Sequence, residues 1–393
     1  SAGYGLVRGF DSCDKAWSSG SGGRQFTFMY RMIDQLGLGG VDDKGGSTVV
    51  GNIERWMDER PDDARPAFVF VNFLEAHFPF EQLPDEYLYA FHDRPFQELK
   101  AAGLYAVGIQ FGRQITDAEY EKIKGPIRDM YDGGVLYTDA LVGRVLDVWR
   151  GRGLLDDTVV VVLADHGEVV GEHRAFGHLA AVVEEDLRVP MVVRYPPKVP
   201  AGEVVSHPIS TTGALATVTA LAGVETPETV LVGNLMEALD DPEAGKPVIA
   251  ERYEKHLLVE QFEPGTTNGV GPLVNPRGRY RTYRSGPYKL VQHSEDGTFL
   301  FHLELGEDRD LASEQPEKVS ALEQELLQIS LELGLPSLGV EVQQVARAEQ
   351  TDEEILSLCQ LGYLEGLICD CARGNKSGPE CDCARGRAGA ECP

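Results

Sequence analysis

Four side chains in this sequence stand where a divalent metal or an acid–base reaction would need them. Asp165 and His166 end the apolar run Val159-Val160-Val161-Val162-Leu163. His77 closes a second run, Ala67-Phe68-Val69-Phe70-Val71-Asn72-Phe73-Leu74, just beyond its end. Carboxylate and imidazole are donors for divalent cations, and in open α/β sheets ligands bind just outside the carboxyl ends of the strands. His178 follows in the glycine-interrupted loop Gly171-Glu172-His173-Arg174-Ala175-Phe176-Gly177-His178. A loop histidine folded back over such ligands can give a proton to a leaving group. Phe176 and Gly177 favour a packed turn for His178, whereas His173 reads as a solvated loop residue. Spacing alone leaves a plainer reading open, with Asp165 capping the next turn and His166 on the surface. Neither His166-Gly167-Glu168 nor Glu172-His173 makes the zincin pattern, which needs two histidines one helical turn apart.

Side chains at strand ends need a sheet to hold them and helices to cover it. Both apolar runs are short and continuous, as buried parallel strands are, and Val189-Pro190-Met191-Val192-Val193-Arg194 reads as a third. From Pro126 to Arg152, Ile127, Met130, Tyr131, Val135, Leu141, Val145 and Leu146 recur mostly at helical spacings, and Gly151 and Gly153 stop the helix. Asn52 to Glu59 and Ser210 to Leu221 read as helices, the latter ended by Gly223. Alternating strands and helices predict an α/β fold, a layered sandwich around a mainly parallel sheet. Past residue 240 the pattern changes. Arg279 to His293 and Thr298 to Leu303 read as hairpin strands around Ser294-Glu295-Asp296-Gly297, and a helix is expected from Pro316 to about Gly334. The expected organisation is an α/β core over 1–240 and a small α+β subdomain with antiparallel strands over 241–335. An acidic extension over 336–368, with a short helix at Asp352 to Leu361, and a cysteine-rich tail over 369–393 follow.

Composition narrows the function. The 393 residues carry a net charge of -27, which argues against nucleic-acid binding, since that needs a basic face. Such a field repels anions, so an anionic substrate requires local cations or a metal. The composition favours a soluble chain, and no apolar stretch reaches bilayer length. Ser1 is not an initiator Met and no signal-type segment follows it, so the start reads as a cut and compartment stays open. Cys13 and Cys359 are isolated. Cys369, Cys371, Cys381, Cys383 and Cys392 crowd a Gly/Arg/Ala tail whose composition reads as disordered, with a four-thiolate zinc site as the alternative.

Taken in order, these segments resemble the sulfatase family of the alkaline-phosphatase superfamily. Its central block is matched by Tyr131-Asp132-Gly133-Gly134 through Gly143, then Gly153-Leu154-Leu155-Asp156-Asp157-Thr158, then Ala164-Asp165-His166-Gly167-Glu168. Phe176-Gly177-His178 and Glu184-Glu185-Asp186-Leu187-Arg188-Val189-Pro190 continue it. Glu75-Ala76-His77-Phe78-Pro79 resembles the family's His-x-Pro segment, and Tyr283-Arg284-Ser285-Gly286-Pro287-Tyr288-Lys289-Leu290 its last-strand motif. Gly5-Leu6-Val7-Arg8-Gly9-Phe10-Asp11 resembles the stretch after the family's catalytic block. Asp352-Glu353-Glu354-Ile355 to Leu361-Gly362-Tyr363-Leu364, like Tyr283 to Leu290, resembles the family's last-strand motif.

The resemblance implies an alkaline-phosphatase-like fold and a sulfuric ester hydrolase. Asp165 and His166 would be two ligands of a divalent cation, usually calcium, or manganese or zinc in a phosphoryl-transfer relative. His77 would contact the sulfate, and His178 would stand near the leaving-group oxygen. The implied partner is a small-molecule or saccharide sulfate ester. The family's nucleophile is a formylglycine made from the Cys of Cys-x-Pro-Ser-Arg, or a Ser in a similar setting; no such motif stands in this sequence, and Cys13 lies in the wrong context. The expectation is therefore that the nucleophile and two Asp ligands precede Ser1 and that the chain alone is inactive. Thr211-Thr212-Gly213-Ala214 also departs from the family, which often has an Asp there. Two other functions remain: a phosphodiesterase, phosphonate hydrolase or phosphoglycerol transferase of the same superfamily, and a non-catalytic sulfatase-like binding protein.

Overall fold

The structure is a computed structural model of the chain. It describes residues 43–338 apart from 62–64, 111–112, 114, 179–181, 228–229, 231–232, 241–246, 254–272 and 276. The Gly5–Asp11 match, Cys13, the Asp352–Leu361 helix and the cysteine tail therefore lie outside the described residues. The chain divides into two units, residues 1–52 with 341–393, and residues 53–340. Of the first, residues 43–52 are described: the Asp43 carboxylate accepts from the backbone N–H groups of Gly45 and Ser47 at the entry to helix α1 (Gly46–Glu59). The second unit holds the rest.

Helices come first in that unit: α2 (Asp85–Leu88), α3 (Phe96–Gln110) and α4 (Asp117–Gly151). The last starts well before Pro126, where periodicity alone placed its beginning. Thr116 and Glu119 form a reciprocal capping box: Glu119 N–H donates to Thr116 Oγ1 at 3.2 Å, and Thr116 N–H to Glu119 Oε2 at 2.8 Å. Two of the start's unsatisfied donors are thereby paired, and the helix runs through Pro126.

Strand β1 (Val160–Leu163) pairs antiparallel with β4 (Met191–Arg194), in register Val160↔Arg194 to Leu163↔Met191. Between them lie a small hairpin, β2 (Val169–Val170) with β3 (Phe176–Gly177), and the one-turn helix α5 (Glu184–Leu187). The expected parallel pairing is not among the described ladders, which are all antiparallel. A parallel return needs a crossover, usually a full helix; the hairpin and single turn between β1 and β4 bring the chain back the other way. The run Ala67–Leu74, read above as a buried strand, carries no ladder among the described residues, and Phe70 is 72% exposed. Apolar content did not suffice there, because a strand also needs a partner for its backbone polar groups.

Ser210–Leu221 resolves into a 3-10 turn (Thr211–Gly213) and helix α6 (Ala214–Ala222), ended by Gly223 at φ 71°. The short α7 (Glu237–Asp240) precedes a four-stranded antiparallel sheet, β5 (Val248–Arg252), β6 (Tyr280–Ser285), β7 (Tyr288–His293) and β8 (Gly297–His302), in that order. Arg279–His293, expected as one strand, is two. Gly286, at φ 59°, and Pro287 make a two-residue turn that pairs Ser285 with Tyr288. Strand alternation covers both faces. Tyr283, Leu290 and Leu300 pack with Leu322 and Leu326 of helix α8 (Pro316–Glu332). Tyr280, Val291 and Phe301 pack with Val169, Val182 and Val183 from the hairpin region. At about 1.5–3 kcal/mol for each fully buried large side chain, this second face ties the sheet to the segment that carries the candidate ligands.

Candidate active site

Three histidines from separate segments meet. One ring nitrogen each from His77, His166 and His178 lie within 4.8 Å of one another. The rings of His166 and His178 stack with centroids 4.0 Å apart, and His77 stands edge-on to His178 at 5.0 Å. Each Nδ1 faces an oxygen: Phe78 O at 2.5 Å for His77, Gly167 O at 2.7 Å for His166 and Glu168 Oε1 at 3.1 Å for His178. A carbonyl oxygen only accepts, so His77 and His166 donate from Nδ1 in these contacts.

Glycines allow the approach. A Cβ on Gly134 of α4 would lie 2.7 Å from Glu75 O, and one on Gly133 would lie 2.4 Å from Tyr87 O. Their absence lets α4 lie against the turn Glu75-Ala76-His77, where His77 N–H donates to Leu74 O at 3.0 Å. Gly167 does the same for the other segment. Its Cβ would strike Glu185 O, and its N–H donates to Asp186 O at 2.7 Å, so the chain after His166 is pressed against α5.

Asp165 lies at the rim of this cluster, against His166. Its side chain is 82% exposed, with Oδ1 3.8 Å from His166 Nε2 and accepting from His166 N–H at 3.1 Å. A carboxylate and an imidazole beside each other at the surface are competent donors for a divalent cation. The structure thus unites His77, His166 and His178 and leaves Asp165 at their rim. Glu168, with a 3% exposed side chain against His178, is a residue of this site that sequence reading passed over. Its signal was there, two positions from His166, but nothing in spacing aims it at His178. Tyr131, packed edge-on to Phe80, has its phenol pushed above its ordinary pKa by burial first and by the Glu168 charge next.

His173 corrects an expectation. It is not solvated: its side chain is 10% exposed, and Nε2 meets Glu185 Oε2 at 3.2 Å, with Asp308 3.8 Å from Nδ1. The hydrogen bond with Glu185 holds the imidazole above its ordinary pKa and the carboxyl below its own. The tip of the β2–β3 hairpin turns tightly, with His173 and Arg174 both in the left-handed region, at φ 52° and 56°, so His173 points inward.

The sulfatase family model matches residues 27–224, about half the chain and every segment of this site. The chain belongs to the sulfatase family. Bovine Arylsulfatase K is 25% identical over 255 residues, 64% of this chain and 44% of that protein. This sulfatase chain thus spans about half the length of the curated relatives it matches. A crystal structure from Bacteroides fragilis, described as a sulfatase, aligns with TM-score 0.54 and 21% identity over 74% of this chain and 58% of that one. The phosphonate monoester hydrolase of Agrobacterium radiobacter aligns with TM-score 0.58 and 20% identity over 74% and 61%. Both likenesses show the alkaline-phosphatase-like α/β fold, here with its small antiparallel subdomain. Among the described residues, no helix is long and apolar enough to cross a membrane.

Proposed function

We propose that this sulfatase chain binds a sulfate ester beside a divalent cation, with Asp165 and His166 as metal ligands, His77 on the sulfate and His178 at the leaving-group oxygen. The observation that carries the reading is the meeting of His166 and His178, on either side of the β2–β3 hairpin, with the distant His77, one ring nitrogen of each within 4.8 Å of the others. The cation, calcium by family resemblance, would neutralise charge on the sulfate oxygens. Calcium takes six or more oxygens, so the Asp165 carboxylate and the His166 nitrogen would supply only part of its shell. In hydrolysis, a nucleophile attacks sulfur, the sulfur–oxygen bond to the alcohol breaks, and the leaving oxygen takes the Nε2 proton of the His178 imidazolium. No Cys-x-Pro-Ser-Arg occurs in the 393 residues, so we assign turnover by that route to a protein that also contains such a nucleophile. Small-molecule and saccharide esters are the substrate class.

Calorimetric titration of the chain with an aryl sulfate, with and without calcium, tests this. Metal-dependent binding, weakened ten-fold or more in His77→Ala, is the expected result. Binding indifferent to both metal and His77 would remove the proposal, and clear preference for an aryl phosphonate would move the site to phosphoryl chemistry.

A further inference from the structure

The Glu168–His178 pair is built by strand register. In the β2–β3 hairpin Val169 pairs with Gly177 and Val170 with Phe176, so the next positions outward, 168 and 178, lie directly across from each other. Both side chains are sequestered, Glu168 at 3% exposure and His178 at 10%. A buried carboxylate needs a hydrogen-bonding or charged partner, and Glu168 Oε1 has one in His178 Nδ1 at 3.1 Å.

The hairpin's closed end is fastened at several points, which fixes that register. Tyr120 Oη donates to Gly171 O. Arg128 meets Glu172 at 2.6 Å and Arg174 meets Asp117 at 2.5 Å, both anchors lying on α4. Glu172 Oε2 also accepts from Val170 N–H at 2.9 Å. A one-residue slip would turn Glu168 to the opposite face. Because Glu168 follows His166 by two positions, the same hairpin sets the leaving-group histidine relative to the metal-ligand histidine.

We propose that Glu168 is a positioning residue: by accepting a hydrogen bond from His178 Nδ1–H it locks the ring in one tautomer and orientation, where it meets His77 and His166. It acts through His178 and touches no substrate. The assignment rests on the reading of His178 as the group at the leaving oxygen.

Long-range nitrogen–proton NMR of histidine-labelled protein tests this without turnover, the His178 signals being assigned by their loss in His178→Ala. In the wild type at alkaline pH, His178 should show a protonated Nδ1 and a bare Nε2. In Glu168→Ala the two tautomers should mix. A bare Nδ1 in the wild type would overturn the proposal even if the variant failed to fold. So would a folded Glu168→Ala with the wild-type His178 pattern. If the tautomer is as predicted yet aryl sulfate does not bind, the functional reading falls and the positioning role stands. If the sulfate binds and the tautomer is wrong, the reverse holds.

Discussion

At the scale of single residues, the His173–Glu185 pair makes stability depend on pH in a defined direction. His173 is raised above its ordinary 6.5, so its contribution is full below that value and is lost as pH rises through the raised native pKa. Glu185 is lowered below its ordinary 4.5, so its contribution is full above that value and is lost as pH falls through the depressed native pKa. The pair therefore stabilises most between 4.5 and 6.5. Chemical denaturation across pH should show His173→Ala losing most in that window and least at alkaline pH; a loss independent of pH would contradict the pairing. His77, His166 and His178 were legible in the sequence because each follows an apolar run or sits in a glycine-marked loop. His173 was misread for want of a sequence signal: Glu185 and Asp308, which draw it inward, are distant along the chain.

At the scale of elements, the approach of α4 to the His77 turn is the contact on which the site depends. Gly134→Ala puts a Cβ 2.7 Å from a backbone oxygen. Overpacking of that kind costs about 1–3 kcal/mol, against a helix-propensity gain of about 1 kcal/mol. Gly143, on the same helix, has nothing within 4 Å of its would-be Cβ. Gly143→Ala should therefore stabilise by about 0.5–1 kcal/mol, while Gly134→Ala should destabilise and weaken aryl sulfate binding. Equal effects of the two in urea unfolding would argue against the close approach. Helix α4 was visible from its periodicity, but its start was misplaced because the Thr116–Glu119 box was overlooked. Strands were harder, since pairing direction depends on what connects them: the apolar pattern of β1 and β4 is the same for either direction.

At the scale of the molecule, one buried cation joins the C-terminal sheet to the site-bearing half. Lys289 of β7, 1% exposed, reaches Glu307 at 2.7 Å, Glu184 of α5 at 3.1 Å and Val182 O at 2.7 Å. Lys289→Met leaves the Glu307 carboxylate with the Glu184 N–H at 2.7 Å but without its cation, and should cost about 3–5 kcal/mol by thermal or urea unfolding. A loss under about 1 kcal/mol, the range of exposed ion pairs, would show the cation to be dispensable. The α/β class and the antiparallel C-terminal sheet were readable from alternating patterns and turn residues, because both are local in sequence. The union of Lys289 with Glu184 and Glu307 was not, because it is made by packing across the molecule.

The central claim is that this negatively charged chain concentrates a divalent cation beside three histidines. Paramagnetic line broadening of the histidine side-chain signals by substoichiometric Mn2+ tests it most directly. His166 should broaden first, His77 and His178 next, with His293 and His302 sharp, and Asp165→Asn should need at least ten-fold more metal. Uniform broadening, or broadening centred on His173 with His166 unaffected, would contradict it.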